Sequence, residues 1–157
     1  MERENEITKN LQLIFGNKLI EIKNPRLRRI FVRVEAGSFK EALPRLIKDV
    51  ELNHLVTITG MDLGQEIELL YHFTRDGSTV VTVGFKIPKD NPTVKTITDL
   101  VPAATLYERE IHEILGVNFE GHPNLAPLIL PEEWPKGIYP LRKDRKFEEL
   151  REIGSKK

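Results

Sequence analysis

The chain has 157 residues, with Lys plus Arg and Asp plus Glu balanced at 24 each. It therefore has the size of one domain and lacks the basic excess of a nucleic-acid or anionic-membrane binder. It contains no Cys, which excludes a disulfide, a thiolate zinc site and a Cys-ligated iron–sulfur cluster, so the redox centres of any system it serves belong to other chains. No apolar run reaches the roughly 20 residues that span a bilayer, and the opening MERENEITKN has no apolar signal-peptide core. The expectation is a soluble chain that meets a membrane only through partners.

Ile7, Leu11, Ile14 and Phe15 recur at helical spacing, and Gly16 follows as a stop, which predicts a first helix over 3–15. Ile20 and Ile22, then Ile30, Val32 and Val34, alternate with charged residues around the turn NPRLR at 24–28. They predict two paired strands. Ser38 and Glu41 stand at capping-box spacing. Behind them Phe39, Ala42, Leu43, Leu46, Ile47 and Val50 form a helical stripe. Pro44 sits deep enough to predict a kink or a later helix start. Three further strands are centred on Val56–Ile58, Ile67–Phe73 and Thr79–Ile87, joined by turns at 60–64 and 75–78. The order α-β-β-α-β-β-β predicts a two-layer α+β domain with helices on one face of a mainly antiparallel sheet. Residues 1–90 read as this platform. A linker at 86–92 leads to residues 91–157, a C-terminal helix and an extended docking arm, part of the same domain or appended to it.

The C-terminal helix has Ala104, Tyr107, Ile111, Ile114 and Leu115 on one face and Glu108, Arg109, Glu110, His112 and Glu113 around the rest, and Gly116 ends it. Three readings of these charges stay open. They form a solvated face with weak i,i+4 pairs, an acid/base cluster using Glu110, Glu113 and His122, or a surface for another protein. A metal site fits poorly, because no HExxH or histidine pair at helical spacing is present. Beyond the helix, prolines at 123, 127, 131, 135 and 140 exclude regular helix and sheet. Ordering such an arm opposes roughly 1–2 kcal/mol per residue of backbone entropy. Its large apolar side chains return about 1.5–3 kcal/mol each only if buried. The arm must therefore lie on a surface already built, either that of its own platform or that of a partner, and the expectation leans to the partner.

The blocks Glu108-Arg109-Glu110, then Glu113 to Leu125 with its Gly121-His122-Pro123, then Pro140-Leu141-Arg142-Lys143-Asp144, resemble the 30 kDa subunit family of respiratory complex I. That family includes counterparts in energy-converting membrane-bound NiFe hydrogenases and related archaeal complexes, and the segment LPEEWPKGIYPLRKD is more similar to the hydrogenase side. The resemblance implies a peripheral subunit of a membrane-bound oxidoreductase, on the cytoplasmic side, not catalytic by itself. It implies no cofactor in this chain, with Fe–S clusters and Ni–Fe on partner subunits. The implied partners are a large catalytic subunit related to NiFe hydrogenases and a small Fe–S subunit. The implied docking residues are Glu108, Arg109, Glu110, Glu113, Phe119, His122, Pro123, Trp134, Tyr139, Leu141, Arg142, Lys143 and Asp144, with Trp134, Tyr139 and Arg142 as anchors of the types enriched at hot spots. The alternatives are a scaffold module of another complex and a stand-alone acid/base enzyme.

Overall fold

A computed structural model of the chain describes residues 2–155. Helix α1 (Glu2–Phe15) leads through a short 3-10 turn into β1 (Leu19–Arg26) and β2 (Arg29–Val34). Helix α2 (Ser38–Asp49) and strands β3 (His54–Asp62), β4 (Glu66–Arg75) and β5 (Thr79–Pro88) follow. The five strands form one sheet in the order β1-β2-β5-β4-β3. All neighbours are antiparallel except β2 and β5, which pair in parallel with Ile30 opposite Val81 and Val32 opposite Val83. This is the α+β architecture that the alternation of the strands predicts.

The period-2 pattern of each strand turns one set of side chains to the helices. Ile30, Val32, Leu69, Tyr71, Phe73, Val81, Val83 and Phe85 are all buried there. Phe39 of α2 packs on Tyr71 and Phe85, with ring centroids 4.5 and 5.5 Å apart, which fixes the helix over the centre of the sheet. The turn at 75–78 has positive φ at Asp76 and Gly77, the type I′ geometry that matches strand twist.

Several sequence expectations need correction. Ser38 does not cap α2: its hydroxyl donates to the Glu35 carbonyl at 2.7 Å, and Gly37 is the N-cap with no side-chain bond. Pro44 lies inside an unbroken α2 on its exposed side, so the helix starts no later than the stripe does. Gly60 belongs to β3 rather than to a turn, since a Cβ there would overlap Leu115 Cδ1 and stand 3.0 Å from Ile111 Cδ1. The absence of a side chain there lets the C-terminal helix pack closely on the sheet. The expected linker at 86–92 is partly strand: β5 runs to Pro88, paired with Glu66.

Two short strands escaped the pattern, β6 (Thr93–Lys95) and β7 (Asn118–Glu120), which pair in parallel on either side of α3 (Ala104–Leu115). A last helix, α4 (Phe147–Ser155), has no buried residue. Ile97, Ala104, Ile111, Leu115, Val117 and Phe119 join the same core cluster as the residues of the five-stranded sheet. Helix α3 is thus built into the platform.

Candidate functional site

The arm lies along α3 of its own chain, which corrects the expectation that a partner supplies its resting surface. The contacts follow the helix turn by turn and go almost wholly to main chain. His122 Nε2 donates to the Thr105 carbonyl at 3.1 Å, and its Nδ1 accepts the Asn124 amide at 3.0 Å. The two partners select the tautomer protonated on Nε2. One turn on, the Arg109 guanidinium donates to the Ala126 and Pro127 carbonyls at 2.9 and 2.7 Å. One turn further, the Glu113 carboxylate accepts the amides of Leu128, Ile129 and Leu130 at 3.1, 2.7 and 3.0 Å. Thr105, Arg109 and Glu113 are spaced i, i+4, i+8, so they form one stripe.

The helix end continues the series. The last carbonyls of a helix have no intrahelical donor, and here those of Ile114 and Leu115 accept the Leu141 amide at 3.1 Å and Arg142 Nε at 2.8 Å. Gly116 is left-handed, with φ +75°, and its amide bonds the His112 carbonyl. The Tyr139 ring lies directly on it, where a Cβ would overlap the ring edge. Both the turn and the contact therefore require Gly. Arg142 then stacks over Tyr139, 4.7 Å from the ring centroid.

Asp62, at the end of β3, closes the far end of the arm. Its Oδ2 accepts the Lys143 amide at 2.8 Å, Oδ1 accepts the Gly64 amide at 2.8 Å, and Lys89 Nζ lies at 2.7 Å. Asp144 reaches the same Lys89 at 3.6 Å. Burial alone would raise the Asp62 pKa, but the Lys89 ammonium and the two amides outweigh it and hold it at about 2, against 3.8 ordinarily. A carboxyl lowered in the native state stabilises above its unfolded pKa and loses that contribution as pH falls through the native value. The drop corresponds to about 2 kcal/mol. Asp62→Asn is therefore expected to be about 2 kcal/mol less stable than the parent at pH 7, with the gap closing between pH 4 and pH 2 in urea unfolding.

Glu108 has a different role from its neighbours. It is 0% exposed. Its Oε1 accepts the Ile97 amide at 3.0 Å and its Oε2 the Thr96 hydroxyl at 2.5 Å. His122 Nε2 approaches the same Oε2 to 4.0 Å. Burial raises its pKa, opposed by those two hydrogen bonds. The contacts join α3 to the segment that leads in from β6.

Of the residues singled out from sequence, Arg109, Glu113, His122, Tyr139, Arg142, Lys143 and Asp144 converge on the arm–helix seam. Glu108 and Phe119 lie in the core and offer no surface. Trp134 is half-buried and bonds within its own loop, Nε1 to the Ile138 carbonyl at 2.8 Å. Glu110 is half-buried with no hydrogen-bond partner among the described residues, and Pro123 is exposed. Glu113 and His122 do not form an acid/base pair: Glu113 is filled by three arm amides, and His122 by the Thr105 carbonyl of α3 and the Asn124 amide. Among the described residues, no group of three or more His, Cys, Asp or Glu side chains is placed to hold a metal ion. Asp62, Lys89 and Thr96, which make these contacts, are not singled out by the sequence reading. An Asp two residues before a Gly is a turn signal, but nothing in the sequence links position 62 to position 143.

With its backbone tied down, the arm turns apolar side chains outward. Leu128, Ile129 and Leu141 are 40, 57 and 58% exposed, and Phe147 at the start of α4 is 74% exposed.

A family model described as respiratory-chain NADH dehydrogenase, 30 Kd subunit, matches residues 32–150. A subunit of the F(420)H(2) dehydrogenase of Methanosarcina mazei is 34% identical, over 74% of this chain and 75% of its own length. The membrane-bound hydrogenase subunit beta of Pyrococcus furiosus is 29% identical, over 93% of this chain and 88% of its own. A chain in the structure of a membrane-bound sulfane sulfur reductase, an archaeal respiratory membrane complex, superposes with a TM-score of 0.80 at 30% identity, covering 100% of this chain and 93% of that one. The family match begins within β2 and runs through α2, β3, β4, β5, α3 and the whole arm into α4; α1 and β1 lie outside it. The chain belongs to the 30 kDa subunit family of respiratory-chain NADH dehydrogenase, a family of subunits of complex I-like membrane-bound oxidoreductases.

Proposed function

We propose that this chain docks, through the outward face of its strapped arm, onto the catalytic subunits of a complex I-like membrane oxidoreductase and supports their assembly. The partners in this reading are a large subunit related to NiFe hydrogenases and a small iron–sulfur subunit, which carry the Fe–S clusters and any Ni–Fe centre. The chain sits on the cytoplasmic side and reaches the membrane through them. Among the described residues, no helix is long and apolar enough to cross a membrane.

One observation carries the proposal. Helix α3 takes up the arm's amides and carbonyls, yet Leu128, Ile129, Leu141 and Phe147 stay exposed on the outside. Large apolar side chains left exposed along a hydrogen-bonded arm mark an interaction surface, and an arm ordered beforehand avoids the ordering cost on binding. The test is Ile129→Asp combined with Leu141→Asp, in the full complex and in the free chain. Co-purification with the catalytic subunits is expected to weaken tenfold or more, as for the loss of roughly 2 kcal/mol at a hot spot. The melting temperature of the free chain is expected to stay within about 2 °C, because surface changes away from packed contacts shift stability by about 0.5 kcal/mol or less. Undiminished co-purification contradicts the proposal.

A further inference from the structure

Residues 126–138 are tied to the molecule differently from the chain on either side of them. Before them, the His122 side chain is 0% exposed and bonded to the Thr105 carbonyl, and Leu125 packs against the core. After them, the Tyr139 ring lies on Gly116, and the Leu141 amide and Arg142 Nε bond the last carbonyls of α3. The Lys143 amide bonds Asp62, whose side chain is 1% exposed. Both ends are thus pinned by buried or half-buried contacts.

The stretch between the pins is held from the surface. Among the described residues, no side chain of 126–138 belongs to the core cluster or packs against it. Two α3 side chains, Arg109 and Glu113, hold its first part, and their bonds to residues 126–129 lie at the surface. Further along, a groove of about 350 Å³ lies between α3, at His112 and Glu113, and the chain at Pro131, Trp134 and Pro135. The hydrogen bonds of 131–138 run within the segment. The Trp134 amide donates to the Pro131 carbonyl at 3.0 Å, Trp134 Nε1 to the Ile138 carbonyl at 2.8 Å, and the Ile138 amide to the Pro135 carbonyl at 3.4 Å. Among the described residues, the one tie from outside is Arg145 Nη2, 3.5 Å from the Gly137 carbonyl. Segments with few buried apolar contacts and solvent-exposed hydrogen bonds open locally at low free energy. Two fixed ends and a self-bonded second half let this segment open without melting.

We propose that residues 126–138 form a flap that lifts off α3 as one body while the pins at 122–125 and 139–143 stay closed. Opening breaks the bonds to Arg109 and Glu113 and bares that face of α3 together with the groove. Leu128 and Ile129 ride on the flap and Leu141 on the second pin, so the outward apolar face is divided between a part that moves and a part that does not. The inference goes beyond the docking reading and does not depend on it.

Amide hydrogen exchange of the full-length chain, followed by NMR, tests the flap. After correction for intrinsic rates, the Leu128, Ile129 and Leu130 amides are expected to exchange at least about tenfold faster than those of Leu141 and Lys143. Glu113→Ala is expected to speed the first three by a further factor of about ten or more. It should leave Leu141, Lys143 and the Trp134 indole N–H unchanged, because the indole's bond lies within the flap. A smaller ratio in the parent, or faster exchange at Leu141 and Lys143 in Glu113→Ala, means that the arm opens as a whole and overturns the proposal. Loss of indole protection together with the three amides means that the segment melts instead of lifting, and overturns it too. The ratio in the unaltered chain decides the question even if Glu113→Ala does not fold. No partner is present, so failure here is distinct from a failure of the Ile129→Asp co-purification test.

Discussion

Glu108→Ala is expected to destabilise the free chain by roughly 3–4 kcal/mol. The change strips the buried Ile97 amide and the Thr96 hydroxyl of their acceptor and opens a cavity beside them. Each donor left unpaired in the interior costs about 1–3 kcal/mol. For a chain of this size that corresponds to about 10 °C in melting temperature. Glu108→Gln keeps the shape and one acceptor oxygen, so its loss is expected to be under about 1.5 kcal/mol. The two variants also separate by pH. Burial raises the native pKa of Glu108, so the native state holds that proton more tightly than the unfolded state. The stability that follows is full below the unfolded pKa and lost as pH rises through the native one. Relative to Glu108→Gln, which does not titrate, the parent is expected to lose stability as pH climbs above 4.5. Denaturant unfolding at acid and neutral pH measures both effects.

Glu113→Ala is the second large change, and its effect is local. Three consecutive amides lose their shared acceptor. Hydrogen bonds to a charged group contribute about 1.5–3 kcal/mol when buried, but these amides lie near the surface and water replaces part of the loss. A net loss of about 2–3 kcal/mol is expected, felt mainly as release of residues 126–131. Glu113→Gln retains one acceptor and should fall between the two. Hydrogen exchange is the appropriate measurement, because a strap can open without unfolding the platform. An unchanged exchange rate at Leu128, Ile129 and Leu130 in Glu113→Ala would mean that the carboxylate does not hold them.

The platform is readable from sequence because its signals are periodic. Alternation in 67–73 and 79–87 marks strands, and the stripe from Phe39 to Val50 marks α2. Strands β6 and β7 are three residues each, too short to show a period. The capping-box spacing at Ser38 misleads because the hydroxyl has a nearer acceptor in the Glu35 carbonyl. On α3 the information is present and easily misassigned. Glu108 falls at the 104, 108, 111, 115 spacing, the buried face, so a carboxylate there has to be an internal one. Arg109 and Glu113 are set apart from that face by their spacing, but their partners cannot be read. They bind main-chain groups, and every residue has those. Only Gly116, which Tyr139 covers, leaves a mark of the arm's course in the sequence.

Backbone recognition also explains why the sequence suggests a partner as the arm's resting place. Between residues 126 and 130 the arm is held by its amides and carbonyls, while His122, Tyr139 and Arg142 add side-chain contacts to α3 and its end.

Amide hydrogen exchange on the isolated chain tests this account most directly. With no other subunit present, Leu128, Ile129, Leu130, Leu141 and Lys143 are expected to exchange at least roughly a hundredfold more slowly than in an unstructured peptide, with Glu113→Ala removing the protection at the first three. Exchange of all five at free-peptide rates would show that the arm does not rest on α3 until a partner places it there.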